Sequence, residues 1–305
     1  VITTKRKGEW LEFSSNWNGQ TVESLLKEVW QAPKKLIHQL RMDKGIKVNG
    51  QAVNWTTPLL PNDRVQIWLY KPESFGAEPT YNELDIFFED DHLLIINKRA
   101  GVDVHPTTPE QSNTLANAVA FHLQCEGIFT KVRHIHRLDR DTTGAILFAK
   151  HALAAAMLDR MLAQRRIKRT YVALVHGIIH KKAGTIDVPI GRDRHHPTRR
   201  RVSKTGERAV THYRVLETFP QKQLSLVQLT LDTGRTHQIR VHMSYIGHPL
   251  IGDVLYGGFD QFVSRQALHA AKIEFLHPIT SEVISCVAPF QDDAFADIDL
   301  YSYFS

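Results

Sequence analysis

The run His136-Arg137-Leu138-Asp139-Arg140-Asp141-Thr142-Thr143-Gly144 constrains this chain more than any other stretch. It crowds side chains of both charges into one segment and ends on a turn-like Thr-Thr-Gly. Ala145-Ile146-Leu147-Phe148-Ala149 follows at once, an apolar run of strand length that reads as buried. A loop that must stay polar is thereby tied to a strand that must stay dry. Such a junction is a common place to hold a reactive group. Taken alone, Asp139 would read equally as a helix cap or as one half of a surface ion pair.

The flanking chain reads as two units. In the first, Val22, Leu25, Leu26 and Val29 fall at helical spacing within Thr21 to Trp30, and Leu36, Ile37 and Leu40 suggest a second helix. Lys34, Lys35 and Arg41 lie on that helix's polar side. Ile46 to Val53 reads as a hairpin around Asn49-Gly50, with Lys47 on its first strand, and Val65 to Leu69 alternates as a closing strand. Lys71 to Thr80 holds two prolines and a glycine and reads as a linker. The division expected is therefore 1–70, a linker at 71–82, and a larger unit at 83–305. In the larger unit Ile86 to Phe88 and Leu93 to Lys98 look like paired strands, and His151 to Gln164 looks like a helix. Thr170 to Val175 and Leu224 to Leu231 look like strands. Thr236 suits the N-cap of a helix through His237 to Met243. The order of elements predicts an α+β fold.

The nonapeptide resembles the signature of the RluA-type pseudouridine synthases, in which the aspartate of His-Arg-Leu-Asp is catalytic. Two more segments resemble the same family in the expected order. Lys168-Arg169-Thr170-Tyr171-Val172-Ala173 carries Tyr171 as the active-site tyrosine, and Gly234-Arg235-Thr236-His237-Gln238-Ile239-Arg240-Val241-His242 carries Arg240 as the partner of Asp139. The segments Gly247 to Asp253, Tyr256-Gly257 and Leu268-His269-Ala270 also fit. Residues from about Val22 to Leu69 resemble a small RNA-binding module first seen in a ribosomal small-subunit protein. The resemblance implies a catalytic domain with a mainly antiparallel mixed sheet and flanking helices. It also implies an isomerase acting on structured RNA, with ribosomal RNA of the large subunit the first substrate and transfer RNA the second. Elementary chemistry agrees with the set. Exchanging a carbon–nitrogen glycosidic bond for a carbon–carbon bond needs neither redox nor phosphate, so no cofactor and no metal are expected. It needs a carboxylate, used as nucleophile at the anomeric carbon or as base at the neighbouring sugar carbon. A buried carboxylate needs a fixed cation, and arginine's fork suits it better than lysine. A tyrosine ring can restrain a detached base by stacking.

Charge supports an RNA partner. Lysine and arginine total 38 against 32 acids, for a net charge of +6 and a pI near 9.2. The excess is concentrated in Arg192, Arg194, Arg199, Arg200, Arg201, Lys204 and Arg208, and again in Arg165, Arg166, Lys168 and Arg169. Two dense runs flanking one strand-rich segment favour phosphate contacts. The residues expected to meet RNA are Lys34, Lys35, Arg41, Lys47, His136, Arg137, Arg199, Arg200, Arg201 and Arg235. His136 could equally brace its loop. Two other classes compete. A zinc hydrolase could be drawn from His134, His136, His237 and His242, but no ligand-type spacing joins them. An inactive RNA-binding protein would use the basic runs but leaves the three motifs unexplained. The two cysteines, Cys125 and Cys286, lie far apart and fit a reducing compartment. No apolar run approaches the roughly 18 residues of a spanning helix. The expectation is a soluble, cytoplasmic monomer.

Overall fold

The structure is a computed structural model and describes residues 3–15, 19–108, 110–259, 263–295 and 298–304. Its larger unit is a ten-stranded sheet. From one edge the strands run Ala183–Asp187, Val210–Phe219, Leu224–Leu231, Lys168–His176, Leu268–Leu276, Thr143–Ala149, Leu93–Lys98 and Ile86–Glu89. Val283–Val287 pairs with Leu268–Leu276, and Arg133–His134 pairs with Thr143–Ala149. Every pairing is antiparallel except one. Leu268–Leu276 runs parallel to Thr143–Ala149, with His269 opposite Thr143 and Ala270 opposite Gly144. This is the mixed, mainly antiparallel sheet of an α+β fold, with the helices Leu115–Cys125, Ala152–Ala163 and Gln238–Tyr245 flanking it.

The parallel junction sits where the charged loop enters its strand. All of Thr143–Ala149 is buried, as the apolar run predicts. Gly144 has φ +106, and a Cβ there would lie 2.3 Å from the Ala270 carbonyl oxygen, so only glycine lets these two strands meet. Two buried basic side chains clamp the loop ahead of it. Lys98 donates to the carbonyls of Arg99, Val102 and Arg140 at 2.7–2.9 Å. Arg265 forks onto Asp292 and also reaches the Asp141 carbonyl and Thr143 Oγ1.

The N-terminal unit is a five-stranded antiparallel sheet ordered Thr4–Lys7, Trp10–Ser14, Arg64–Trp68, Ile46–Val48 and Gln51–Ala52. The hairpin turns through Asn49 and Gly50 at φ 52 and 81, the left-handed pair an Asn-Gly turn supplies. Thr21 starts the first helix with a capping box to Ser24, but the helix widens into a π turn over Leu25–Val29, with Trp30 N–H reaching the Leu25 carbonyl at 2.9 Å. The first strand escapes a periodicity reading because Thr4–Lys7 is polar throughout. It also docks this unit on the larger one. Thr4 Oγ1 lies 2.7 Å from His92 Nε2, and the Arg6 amide donates to Asp91 Oδ2 at 2.7 Å. The Tyr70 hydroxyl donates to the Asp91 carbonyl, and its ring meets His151 edge-on. Arg160 reaches back to the carbonyls of Trp30 and Gln31. Residues 71–85 form no regular element, yet Glu73 and Phe75 pair with Phe129 and Val132 through the backbone. Among the described residues no helix is long and apolar enough to cross a membrane.

Candidate active site

The three family-like motifs converge on one cavity of about 490 Å³. Its walls include Arg137, Asp139, Arg169, Tyr171, His237 and Arg240. Asp139 arrives on the clamped loop, and its own carbonyl accepts the Thr142 amide in a tight turn. Tyr171 comes from the sheet, opposite Leu229, and is 4% exposed. Burial raises its hydroxyl pKa, and the Asp139 charge pushes the same way, so the phenol stays protonated. Arg240 comes from the helix Gln238–Tyr245.

The guanidinium geometry departs from the one the resemblance implies. Its fork is turned not to Asp139 but to Asp253, with Nε on Oδ2 at 2.7 Å and Nη2 on Oδ1 at 2.8 Å. Asp139 Oδ2 receives a single bond from Nη1 at 3.2 Å. Burial opposes the Arg240 charge, but Asp253 and then Asp139 outweigh it and raise its pKa. One arginine thus serves two carboxylates, a fully buried one that fixes its orientation and a partly open one that faces the cavity. Asp253 carries no periodic signal; only its place in the resembling segment Gly247 to Asp253 marked it.

The N-cap of that helix is His237 and not Thr236. His237 adopts φ 57, ψ 22, the left-handed region. His237 makes no side-chain capping bond. One residue on, Gln238 Oε1 accepts from the Arg235 amide at 3.0 Å and from Thr233 Oγ1 at 2.8 Å, which ties the preceding turn to the start of the helix. His237 Nε2 lies 4.0 Å from Asp139 Oδ2, and Nδ1 lies 2.8 Å from the Tyr256 hydroxyl. Burial lowers the His237 pKa, so the ring is neutral near pH 7. Arg240 lies over the Tyr256 ring at 5.0 Å from its centroid. Arg169, His237, Asp253 and Tyr256 join a site to which sequence reading assigned Asp139, Tyr171 and Arg240 for the chemistry and His136, Arg137 and Arg235 for RNA contact.

A second cavity, of about 530 Å³, shares Arg137, Gly234, Arg235 and Thr236 with the first. Its far wall is the two-stranded ribbon Ile190–Arg192 and Arg200–Val202. The three arginines expected to meet RNA part company here. Arg200 faces Arg192 across the ribbon and both line the cavity. Arg201 lies on the alternate face and is exposed. Arg199 lies exposed in the turn that joins the two strands and is paired with Asp193, Nε to Oδ2 at 2.7 Å. Arg235 pairs with Glu207. His136 is buried, its Nε2 accepts the Leu147 amide at 3.3 Å, and burial lowers its pKa far, so it braces the strand. On the N-terminal unit, Lys34 and Lys35 are exposed at the start of their helix. Arg41 lies over Trp55 and Lys47 over Trp10, at 4.8 and 4.6 Å from the ring centroids. The histidines imagined around zinc do not gather. His242 is tied to Thr211 and Val188, while His134 stacks on His105.

A sheet-backed cavity that holds a carboxylate paired with a buried arginine, beside a second cavity walled by an arginine ribbon, can take a polyanionic substrate and act on it. Comparison with known proteins narrows that class. The family model described as RNA pseudouridylate synthase matches residues 92–245, and that of the RluD ribosomal pseudouridine synthase N-terminal domain matches residues 11–65. The chain is 51% identical over 290 residues to the uncharacterized RNA pseudouridine synthase YhcT of Bacillus subtilis (strain 168), covering 94% of this chain and 96% of that one. It is 39% identical over 266 residues to ribosomal large subunit pseudouridine synthase D of Haemophilus ducreyi, covering 81% and 80%. Among solved structures it resembles human RNA pseudouridylate synthase domain containing 1, with a TM-score of 0.57 at 28% identity over 72% of this chain and 86% of that one. The chain belongs to the RNA pseudouridylate synthase family and is an isomerase of that class.

Proposed function

We propose that this enzyme converts specific uridines of large-subunit ribosomal RNA to pseudouridine, with Asp139 as the essential carboxylate. The observation that carries the reading is the position of Asp139. It opens into the cavity while its Oδ2 is held by Arg240, whose fork is itself locked on buried Asp253. Two relatives' names, ribosomal large subunit pseudouridine synthase D of Haemophilus ducreyi and of Pasteurella multocida, support the substrate class.

In the reaction the bond from the anomeric carbon to N1 of uracil breaks and a bond from the same carbon to C5 forms. The C5 proton leaves and N1 gains one, so the product is an isomer. Asp139 Oδ1 is the oxygen left to act at the sugar, as nucleophile or as base. Arg240 holds Oδ2 and does not compete for Oδ1. The Tyr171 ring restrains the detached uracil while it turns. Residues 1–70 help hold RNA through Lys34, Lys35, Arg41 and Lys47, residues 71–82 connect, and residues 83–305 carry the chemistry. Arg137, Arg200 and Arg235 contact the strand around the flipped nucleotide.

The test compares pseudouridine maps of large-subunit ribosomal RNA from cells with and without this protein. At a uridine so mapped, Asp139→Asn abolishes tritium release from RNA labelled at carbon five while RNA affinity persists. Activity of Asp139→Asn within tenfold of wild type would remove Asp139 from the chemistry. A map unchanged by deletion would remove ribosomal RNA as the substrate.

A further inference from the structure

A hydrogen-bond relay runs from the arginine ribbon to the reacting carboxylate. The Arg200 backbone N–H donates to the Tyr256 hydroxyl oxygen at 2.8 Å. That oxygen lies 2.8 Å from His237 Nδ1. A backbone amide can only donate, so the phenol proton is free to point at the histidine. With Tyr256 donating to Nδ1, the ring proton sits on Nε2 and faces the cavity, open to an acceptor on a bound substrate. Ser244 Oγ, on the same helix as Arg240, donates to the Tyr256 carbonyl at 2.8 Å and helps fix the tyrosine. The far end of the relay is therefore an N–H donor 4.0 Å from Asp139 Oδ2, with both side chains lining the cavity.

The gap is too wide for a direct hydrogen bond and suits a single bridging atom. Two bonds of about 2.8 Å meeting at one oxygen span about 4 to 4.6 Å as the angle opens from a right angle to tetrahedral. The bridging atom must accept from Nε2–H and donate to a carboxylate. A phosphate oxygen or a uracil carbonyl cannot donate, and the uracil imide N–H cannot accept. Within an RNA chain the 3′ and 5′ oxygens are esterified, so the 2′-hydroxyl is the one group of a nucleotide's sugar that does both. His237 also holds an unfavourable backbone conformation for a residue with a side chain, at φ 57. Such strain persists where the surroundings force it and clusters at working sites.

We propose that His237 Nε2–H and Asp139 Oδ2 together seat the 2′-hydroxyl of the target nucleotide, the histidine donating to it and the carboxylate accepting from it. His237 is then the residue that tells RNA from DNA at this site. Tyr256 and Arg200 are positioning groups that set its polarity. The inference rests on the isomerase reading above for its substrate class, but its tests do not depend on turnover.

Two measurements on the full chain decide it. Ring-nitrogen NMR of the histidines should show His237 in the Nε2–H tautomer, and Tyr256→Phe should release that preference. An Nδ1–H tautomer in the wild type would overturn the relay. Fluorescence anisotropy then compares a fluorescein-labelled ten-residue oligouridylate with its 2′-deoxy counterpart. The wild type should prefer the ribose strand, His237→Leu should shrink that preference at least threefold, and His237→Gln, which keeps a neutral N–H, should restore most of it. His237→Gly, relieved of the backbone strain, should be at least as heat-stable as the wild type and yet lose the preference. An equal ribose preference in wild type and His237→Leu would overturn the seat. Absent tritium release with the ribose preference intact would instead sink the isomerase reading and spare this one.

Discussion

Arg240 is the residue on which the site turns, because it satisfies two carboxylates with one planar group. Asp253 is 1% exposed in its side chain and takes Nε and Nη2, one edge of the guanidinium, so it is the anchor. Asp139 takes the remaining nitrogen and is the client. Lysine at 240 would keep the charge but could not hold both acids in fixed geometry. Arg240→Lys should lower the single-turnover rate by about 10²-fold, the scale on which misplacement of about an ångström costs activity. Asp253→Asn should do the same from outside the cavity. It should also cost stability on the order of 3–5 kcal/mol in urea unfolding, the scale for breaking a buried ion pair from one side. If Asp253→Asn were as active and as stable as the wild type, Asp253 would not be what orients Arg240.

The ribbon Ile190–Arg192 and Arg200–Val202 is the element that joins substrate binding to the site. Strand alternation sorts its basic residues: Arg192 and Arg200 face the second cavity, and Arg201 faces away. Gly206 lets the following segment close against it, since a Cβ there would lie 2.4 Å from the Ile190 carbonyl carbon. Arg200→Gln should raise KM for RNA several-fold and flatten the salt dependence of binding. Arg201→Gln should change either by less than twofold. Steady-state kinetics across a potassium chloride series separates the two. Equal effects of both changes would mean that the ribbon acts as a diffuse positive patch and that its register against the cavity is irrelevant.

At the scale of the whole molecule, the two units are welded through a buried pair of histidines. His92 Nδ1 and His151 Nε2 lie 2.9 Å apart, with Thr4 of the N-terminal sheet on the far side of His92 and the Tyr70 ring against His151. Burial pulls His92 down to about 4 and His151 well below its usual value. The titratable groups facing them are Asp90, His277, Lys150 and Arg133. Burial opposes the Asp90 charge, yet His277 and the His92 amide hold its pKa at about 2, so it stays ionised in the relevant window. The unfolded chain takes up protons near pH 6.5 while the folded His92 waits until about 4. The pair's contribution is thus fully present above pH 6.5 and is lost as pH falls toward 4. Calorimetry should show Tm falling across that interval, and His92→Gln should flatten the fall. A Tm unchanged from pH 6.5 to 4.5 would count against the weld. Long-range binding belongs to the same scale. Replacing Lys34 and Lys35 together by glutamine should lower the magnitude of the log–log salt slope by about 1.4, two phosphates on a single strand. An unchanged slope would remove this helix from the RNA path.

Much of the fold is legible in local sequence. The apolar run Ala145 to Ala149, the alternation through Leu224 to Leu231 and the Asn49-Gly50 turn each declare an element within a few residues, because period and turn chemistry are short-range. Asp139, Tyr171 and Arg240 could be read as one set for the same reason, each lying inside a motif of its own. Which groups those residues touch was decided only in three dimensions. Arg240 meets Asp139 across 101 positions, and the clamp from Lys98 reaches Arg140 across 42. Asp253 takes the fork that the resemblance gave to Asp139, and His237 takes the N-cap position expected of Thr236. The Arg200–Tyr256–His237 relay draws on three separate segments. Polar partners of this kind leave no periodicity in a chain. They are set by where burial strands a donor or an acceptor, and burial exists only once the sheet has closed around them.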